Sequence, residues 1–171
     1  MIQQMRRLEE KMLTWCNLTI RHSLLDRWLA ILTNLGGPIF TIASTLLISI
    51  FAPQPWKEAG WRSMAALTVS HLIVAVVKKK FMRPRPYLAR PNILTGRVLL
   101  KDYSFPSGHT TAIFSIVVPF IMLSPWLALF LIPVAVTVAL SRIYLGLHYP
   151  SDCLAGGLLG SATSVVVTLA W

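Results

Sequence analysis

Five apolar stretches, near residues 27–51, 61–78, 108–124, 126–143 and 150–170, constrain this chain more than any other feature. A membrane crossing needs about 20 apolar residues, with about 17 as the usual floor. In lipid a backbone must satisfy its own hydrogen bonds, which a helix does within one segment. The pattern predicts an all-α, multi-pass membrane helical bundle with about five transmembrane helices. Only 13% of the residues are charged, where soluble domains carry about 25%. The 108–124 stretch is short for a crossing, and Pro119 is expected to bend it. Pro53, Pro55, Pro125 and Pro150 punctuate the connections. At 171 residues the length fits a single domain, 1–171.

Residues 1–22 read differently. Met5, Leu8, Met12 and Trp15 fall at helical spacing, while Arg6, Arg7, Glu9, Glu10 and Lys11 face elsewhere. This suits an amphipathic helix lying in the membrane interface. Ser23-Leu24-Leu25-Asp26 resembles a capping box that opens the next helix. Cys16 and Cys153 show neither metal spacing nor a disulfide framework, and read as small buried hydrophobes.

The tryptophans orient the map. Trp56, Trp61, Trp126 and Trp171 fall at stretch ends on one side, Trp15 and Trp28 on the other. An indole, apolar with one polar N–H, prefers that boundary. The side holding the N-terminus, side A, then also holds Lys78, Arg85, His109, Arg142, His148 and Asp152. Every Lys and Arg except Lys57 and Arg62 falls on side A as well. Taken alone, the positive-inside rule puts side A in the cytoplasm. Several of these bases belong to a chemical site, however, and the membrane face stays open. The net charge of +10 would suit nucleic acid. The bases flank apolar runs or fall in motifs instead of forming a solvated basic face, so no nucleic-acid partner is expected.

Three clusters carry the chemistry. Lys78 is followed after six residues by Arg85-Pro86. Pro106-Ser107-Gly108-His109 opens an apolar run. Ser141-Arg142 is followed after five residues by His148, and after three more by Asp152. Arg85 and Arg142 offer planar forks to phosphate oxygens, and Lys78 offers a point charge. Ser107 and Gly108 place backbone N–H groups at a helix N-terminus, where anions bind. Asp152, four residues after His148, can hold one imidazole nitrogen as N–H and leave the other free to attack. His109 is the natural general acid for a leaving oxygen. The set can bind and attack a phosphate without a metal or any other cofactor.

These three clusters resemble the three signature motifs of the type 2 phosphatidic acid phosphatase superfamily, with no gap inside any motif. The resemblance covers about residues 23–170. It implies a metal-independent phosphatase of the cell membrane, inner or plasma. His148 would form a phosphohistidine and His109 would protonate the leaving group. Lys78, Arg85, Ser107, Gly108 and Arg142 would cradle the phosphoryl oxygens. Substrates in such families include undecaprenyl diphosphate, phosphatidylglycerophosphate and phosphatidic acid, and the compactness of the chain leans toward a polyprenyl diphosphate. Many bacterial members have six spans, and here the amphipathic helix replaces the first. Phosphotransfer to a lipid or sugar acceptor is an alternative. A non-enzymatic anion transporter or lipid-binding scaffold is another, although it has little need for the His148–Asp152 pair.

Other residues read more plainly. Lys79 and Lys80 suit a basic helix flank. His71 suggests an interhelical hydrogen bond, and Gly156 with Gly160 a close helix contact. Arg90, Arg97 and Lys101 lie in the long stretch between Pro86 and Pro106, either solvated or guiding an anionic headgroup. Arg83-Pro84 offers a two-residue slip of the first motif, and the spacing from Lys78 favours Arg85.

Overall fold

The structure is a computed structural model that describes residues 2–95 and 100–171; Arg97 lies outside the described residues, as does the side chain of Met5. Every regular element among them is helical. Helix α1 (Ile2–Thr14) runs into a π-turn, Trp15–Thr19. Then come α2 (Ser23–Leu32), a 3-10 turn (Thr33–Gly36), α3 (Pro38–Phe51), α4 (Trp56–Phe81) and a single turn, α5 (Pro86–Ala89). Helices α6 (Gly108–Leu123), α7 (Ala128–Tyr144) and α8 (Pro150–Ala170) complete the bundle.

Among the described residues, three helical segments are long and apolar enough to cross a membrane: α4 with α5, α7 with the 3-10 turn before it, and α8. The first apolar stretch departs from the sequence reading. It is a pair of helices, α2 and α3, bent by 51°. Gly37 is extended there (φ −77°, ψ 158°) and Pro38 starts α3 at its first position. A proline has no N–H to continue the preceding helix, yet suits the opening turn of the next. Helix α6 has 16 residues, or about 24 Å of rise. The five expected crossings thus resolve into three full-length segments, one bent pair and one shorter apolar helix. The cap of α2 also differs. His22 is the N-cap, and its Nδ1 accepts the Leu24 N–H at 3.3 Å in place of the expected Ser23 capping box.

Helix α6 lies at the centre, packed on α4, α7 and α8. Its Ala112, Ile113, Ile116 and Val117 meet Leu67 of α4 and Ala135 and Val138 of α7. Between helices in lipid, close backbone approach and interhelical hydrogen bonds carry much of the specificity. Gly156 and Gly160 supply the approach. A Cβ on Gly160 would lie 2.4 Å from the Thr111 carbonyl oxygen, and one on Gly156 2.7 Å from that of Ser107. Serines supply the bonds. The Ser63 hydroxyl donates to the Ile116 carbonyl at 2.9 Å, and the Ser70 and Ser115 hydroxyls meet at 2.9 Å.

Pro119 lies inside α6. Lacking an N–H, it frees the carbonyl four residues earlier. That carbonyl, of Ser115, accepts the Ser164 hydroxyl of α8 at 2.5 Å. The neighbouring helix thus replaces the missing bond, and α6 continues as one element. His71 does not reach another helix as expected; its Nδ1 meets the Leu67 carbonyl of its own helix at 3.0 Å.

All six tryptophans are at least 37% exposed, as residues facing a bilayer boundary should be. Leu8, Met12 and Trp15 of the N-terminal segment are exposed too, while Leu13 is fully buried against Ile93, Ile143, Tyr149 and Cys153. Buried Asn17 donates to the carbonyls of Leu94 and Tyr144 at 2.8 and 2.7 Å. The N-terminal segment is therefore bound to the bundle while keeping an apolar face outward, the pattern of an interfacial helix.

Candidate active site

Four helix ends build the site. Lys78 lies in the last turn of α4, Arg142 in the last turn of α7, Ser107 caps α6, and Asp152 lies in the first turn of α8. Two turns fix the remaining groups. After α4, Met82 takes a left-handed conformation (φ 44°) and turns the chain toward Arg85. After α7, Gly146 takes φ 69° beside Ile93 and Leu94. This conformation favours glycine, and it brings His148 back under α7, where its N–H donates to the Arg142 carbonyl at 3.2 Å.

Arg85 is 1% exposed and lies against His148. Its Nη1 is 3.1 Å from His148 Nε2 and donates to the Leu147 carbonyl at 2.9 Å. Of the two arginines that the first motif offers, Arg85 lies at the imidazole and Arg83 turns away toward Asp152. Arg142 is 3% exposed. Its Nη1 donates to the Thr33 hydroxyl at 3.1 Å, and its Nε and Nη2 have no partner among the described residues. A buried cation with two unpaired donors is costly unless an anion joins it. His109 is half-buried, within the fields of Arg142, His148, Arg85 and Lys78.

The N-terminus of α6 faces open space. A Cβ on Gly108 would meet nothing within 4 Å. Ser107 is fully buried. Its N–H donates to the Asp152 carbonyl at 3.0 Å, and its hydroxyl accepts from the Thr110 hydroxyl at 3.0 Å. The end of α6 is thereby tied to the start of α8.

The His148–Asp152 pair is looser than the sequence suggests. His148 Nδ1 lies 3.6 Å from Asp152 Oδ2, beyond hydrogen-bond distance. The carboxylate is occupied by other donors: the Tyr149 N–H at 2.9 Å, Arg83 Nη1 at 2.7 Å and the Ser104 hydroxyl. Burial, the largest cause, pushes the His148 pKa down to about 4; Asp152 pulls the other way, and the charges of Arg142 and Arg85 add to the burial. The imidazole is therefore neutral at pH 7, the form a nucleophile needs.

Asp102 was not visible as a site residue in the sequence. Its Oδ1 accepts from Arg85 Nη2 at 2.5 Å and its Oδ2 from Lys78 Nζ at 2.6 Å. Partial burial would raise its pKa, but the bonds and charges of Lys78 and Arg85 prevail and hold it down at about 2. Both cations thus hold an anion already, supplied by the loop.

A family model described as the PAP2 superfamily matches residues 59–171, which include every residue of the three clusters. The chain belongs to the PAP2 superfamily. A relative from Sulfolobus acidocaldarius, named undecaprenyl-diphosphatase, is 31% identical over 80% of this chain and 66% of its own length. One from Escherichia coli, named putative undecaprenyl-diphosphatase YbjG, is 39% identical over 84% of this chain and 62% of its own. The chain thus spans less than two thirds of either. The crystal structure of Aquifex aeolicus LpxE superposes with a TM-score of 0.81 at 26% identity, covering 96% of both chains.

Within this PAP2 chain, the groups that sequence reasoning missed are Asp102, Ser104, Thr33, Glu9 and the supporting role of Arg83. Glu9 and Thr33 precede the family match. The only hint was compositional: few acids occur in the chain, with six Asp and Glu in total, and three of them, Glu9, Asp102 and Asp152, meet here.

Proposed function

We propose that this chain hydrolyses a membrane-embedded lipid phosphate or diphosphate without a metal, through a phosphohistidine on His148. The observation that carries the reading is Arg142: a buried guanidinium with two unpartnered nitrogens beside Arg85, His109 and a neutral His148. A phosphoryl group supplies the missing acceptors.

In the first step the His148 Nε2 lone pair forms a P–N bond as the bond from phosphorus to the leaving oxygen breaks. Arg85 Nη1, 3.1 Å from Nε2, can hold a phosphoryl oxygen at the point of attack, and Arg142 and Lys78 share the charge. Preorganised donors of this kind supply the electrostatic stabilisation often given by Mg²⁺. The Ser107 cap and the Gly108 opening orient the N-terminal amides of α6 toward the same space. His109, which takes up a proton once the anionic phosphoryl group is bound beside it, gives that proton to the leaving oxygen. Water then attacks phosphorus as His109 takes its proton, the P–N bond breaks with its electron pair returning to His148 Nε2, and orthophosphate leaves.

The substrate proposed is a polyprenyl diphosphate of the undecaprenyl class, in the plasma or inner membrane. Two relatives carry that substrate in their names, and the site lies at the ends of apolar helices, where a headgroup reaches it with its tail in lipid.

The test is phosphate release by purified protein from undecaprenyl diphosphate, phosphatidylglycerophosphate and phosphatidic acid, with and without a lipid or sugar acceptor. Release to water, greatest for the polyprenyl diphosphate, is expected. His148→Ala should keep the wild-type melting temperature within a few degrees and lose all turnover; full activity in that variant would refute the mechanism.

A further inference from the structure

Arg83 and Glu9 stand outside the phosphate cradle, yet both hold Asp152 in place. Asp152 is fully buried, and Arg83 is the cation paired with its Oδ1. The same Arg83 Nη1 donates to the Ser151 hydroxyl at 2.8 Å, and its Nη2 donates to Glu9 Oε2 at 2.8 Å. The guanidinium lies over the Tyr149 ring, 3.9 Å from its centre. Glu9 Oε1 accepts the Ser151 N–H at 3.1 Å and also the Ser151 hydroxyl. Glu9 therefore grips both Arg83 and the first turn of α8, the turn that carries Asp152.

Rotation of the Asp152 carboxylate decides whether an oxygen faces His148 Nδ1. A guanidinium is a planar fork, and one fixed at both edges fixes what it binds. Glu9 lies on α1, whose Leu8 and Met12 point outward in the manner of an interfacial helix. The contacts thus run from α1 through Glu9 and Arg83 to Asp152, whose Oδ2 lies 3.6 Å from His148 Nδ1.

We propose that Glu9 and Arg83 are positioning residues that aim Asp152 at His148 and make turnover depend on the seating of α1. The proposal rests on His148 acting as the nucleophile. Its rival is that these ion pairs only fasten α1 to the bundle. A fastener alters the melting temperature and leaves kcat alone. A positioning pair lowers kcat and leaves KM within about threefold, because the cradle itself is untouched.

The experiment measures kcat, KM and melting temperature for the full chain in mixed micelles, with farnesyl diphosphate and phosphatidic acid as substrates. Arg83→Gln should lower kcat by about 10- to 100-fold, since a misplacement of about 1 Å can cost about 100-fold. Glu9→Gln should lower it by about 3- to 10-fold, because Arg83 keeps Ser151 and Tyr149 and only one charged contact is lost. In one relay the double variant is no slower than Arg83→Gln alone. Wild-type kcat in both single variants, with His148→Ala inactive, overturns the relay and leaves the phosphatase reading standing. Wild-type turnover in His148→Ala overturns the nucleophile assignment and the relay with it. Should Arg83→Gln fail to fold, Glu9→Gln decides alone: a kcat loss at constant KM supports the relay, and an unchanged kcat overturns it.

Discussion

Asp102 takes the donors that a phosphate would use, and replacing it should strengthen anion binding. Both carboxylate oxygens are engaged, by Arg85 and by Lys78. Arg85 keeps other acceptors, the carbonyls of Asp102 and Leu147 at 2.8 and 2.9 Å, so its side chain stays held when the carboxylate is gone. An incoming phosphate must displace the carboxylate before it can use those donors. The opposing free energy follows from exposure. The Asp102 side chain is 54% exposed, against 12% for Lys78 and 1% for Arg85. A fully exposed ion pair is worth about 0–1 kcal/mol, and a hydrogen bond to a charged group about 1.5–3 kcal/mol. A half-exposed carboxylate between two shielded cations falls between them, at about 1–2 kcal/mol after discounting for solvent screening. Asp102→Asn should therefore tighten competitive inhibition by orthovanadate or orthophosphate by about 5- to 30-fold. The assay is the inhibition constant of each anion at pH 7 with farnesyl diphosphate as substrate, with a melting curve to establish folding. An inhibition constant within twofold of wild type, or a weaker one, would refute the competition.

Three further outcomes follow from the same geometry. Because burial holds His148 neutral down to about pH 4, kcat/KM should persist below pH 6 and fall as pH drops through about 4; a profile falling near the ordinary imidazole value of about 6.5 would contradict a buried neutral nucleophile. Arg142→Lys keeps the charge but loses the fork, and should lower kcat by about 100-fold, measured as initial rates, as loss of one transition-state donor does. Gly160→Ala forces a methyl to within 2.4 Å of the Thr111 carbonyl and should destabilise the α6–α8 contact by about 1–3 kcal/mol, read as a lower melting temperature in detergent.

The helical architecture was legible because lipid imposes a simple rule: apolar runs of sufficient length must become helices. The 61–78, 126–143 and 150–170 stretches correspond closely to α4, α7 and α8. The rule reads hydropathy, however, and hydropathy does not register a bend. Gly36-Gly37-Pro38 lies inside an apolar run, and the break between α2 and α3 was missed although its residues are ordinary helix punctuation. The bend has a consequence in the site. A Cβ on Gly36 would lie 2.6 Å from the His109 carbonyl oxygen, so only the smallest residue lets the break approach α6, and Thr33 at the same turn holds Arg142.

The candidate site was legible in a similarly partial way. Lys78, Arg85, Ser107, Gly108, His109, Arg142, His148 and Asp152 sit at helix ends with short-range spacing that a motif can record, and the structure brings them to one end of the bundle. The groups that complete the charge balance have no such spacing. Asp102 lies 24 residues from Lys78, and Glu9 lies 74 residues from Arg83. Their partners are set by how a loop and an N-terminal helix fold over the bundle, which is long-range information. A motif of basic residues also hides a physical problem: three cations packed around two histidines repel one another. Resolving it requires anions, and two of the chain's few carboxylates, Asp102 and Asp152, are spent on it within the bundle, with Glu9 anchoring Arg83 from outside. Of Lys78, Arg85 and Arg142, it is Arg142 whose guanidinium keeps buried nitrogens with no partner among the described residues. Under the proposed function, the place where the internal charge pairing stops would also be the place where an external phosphate is best received.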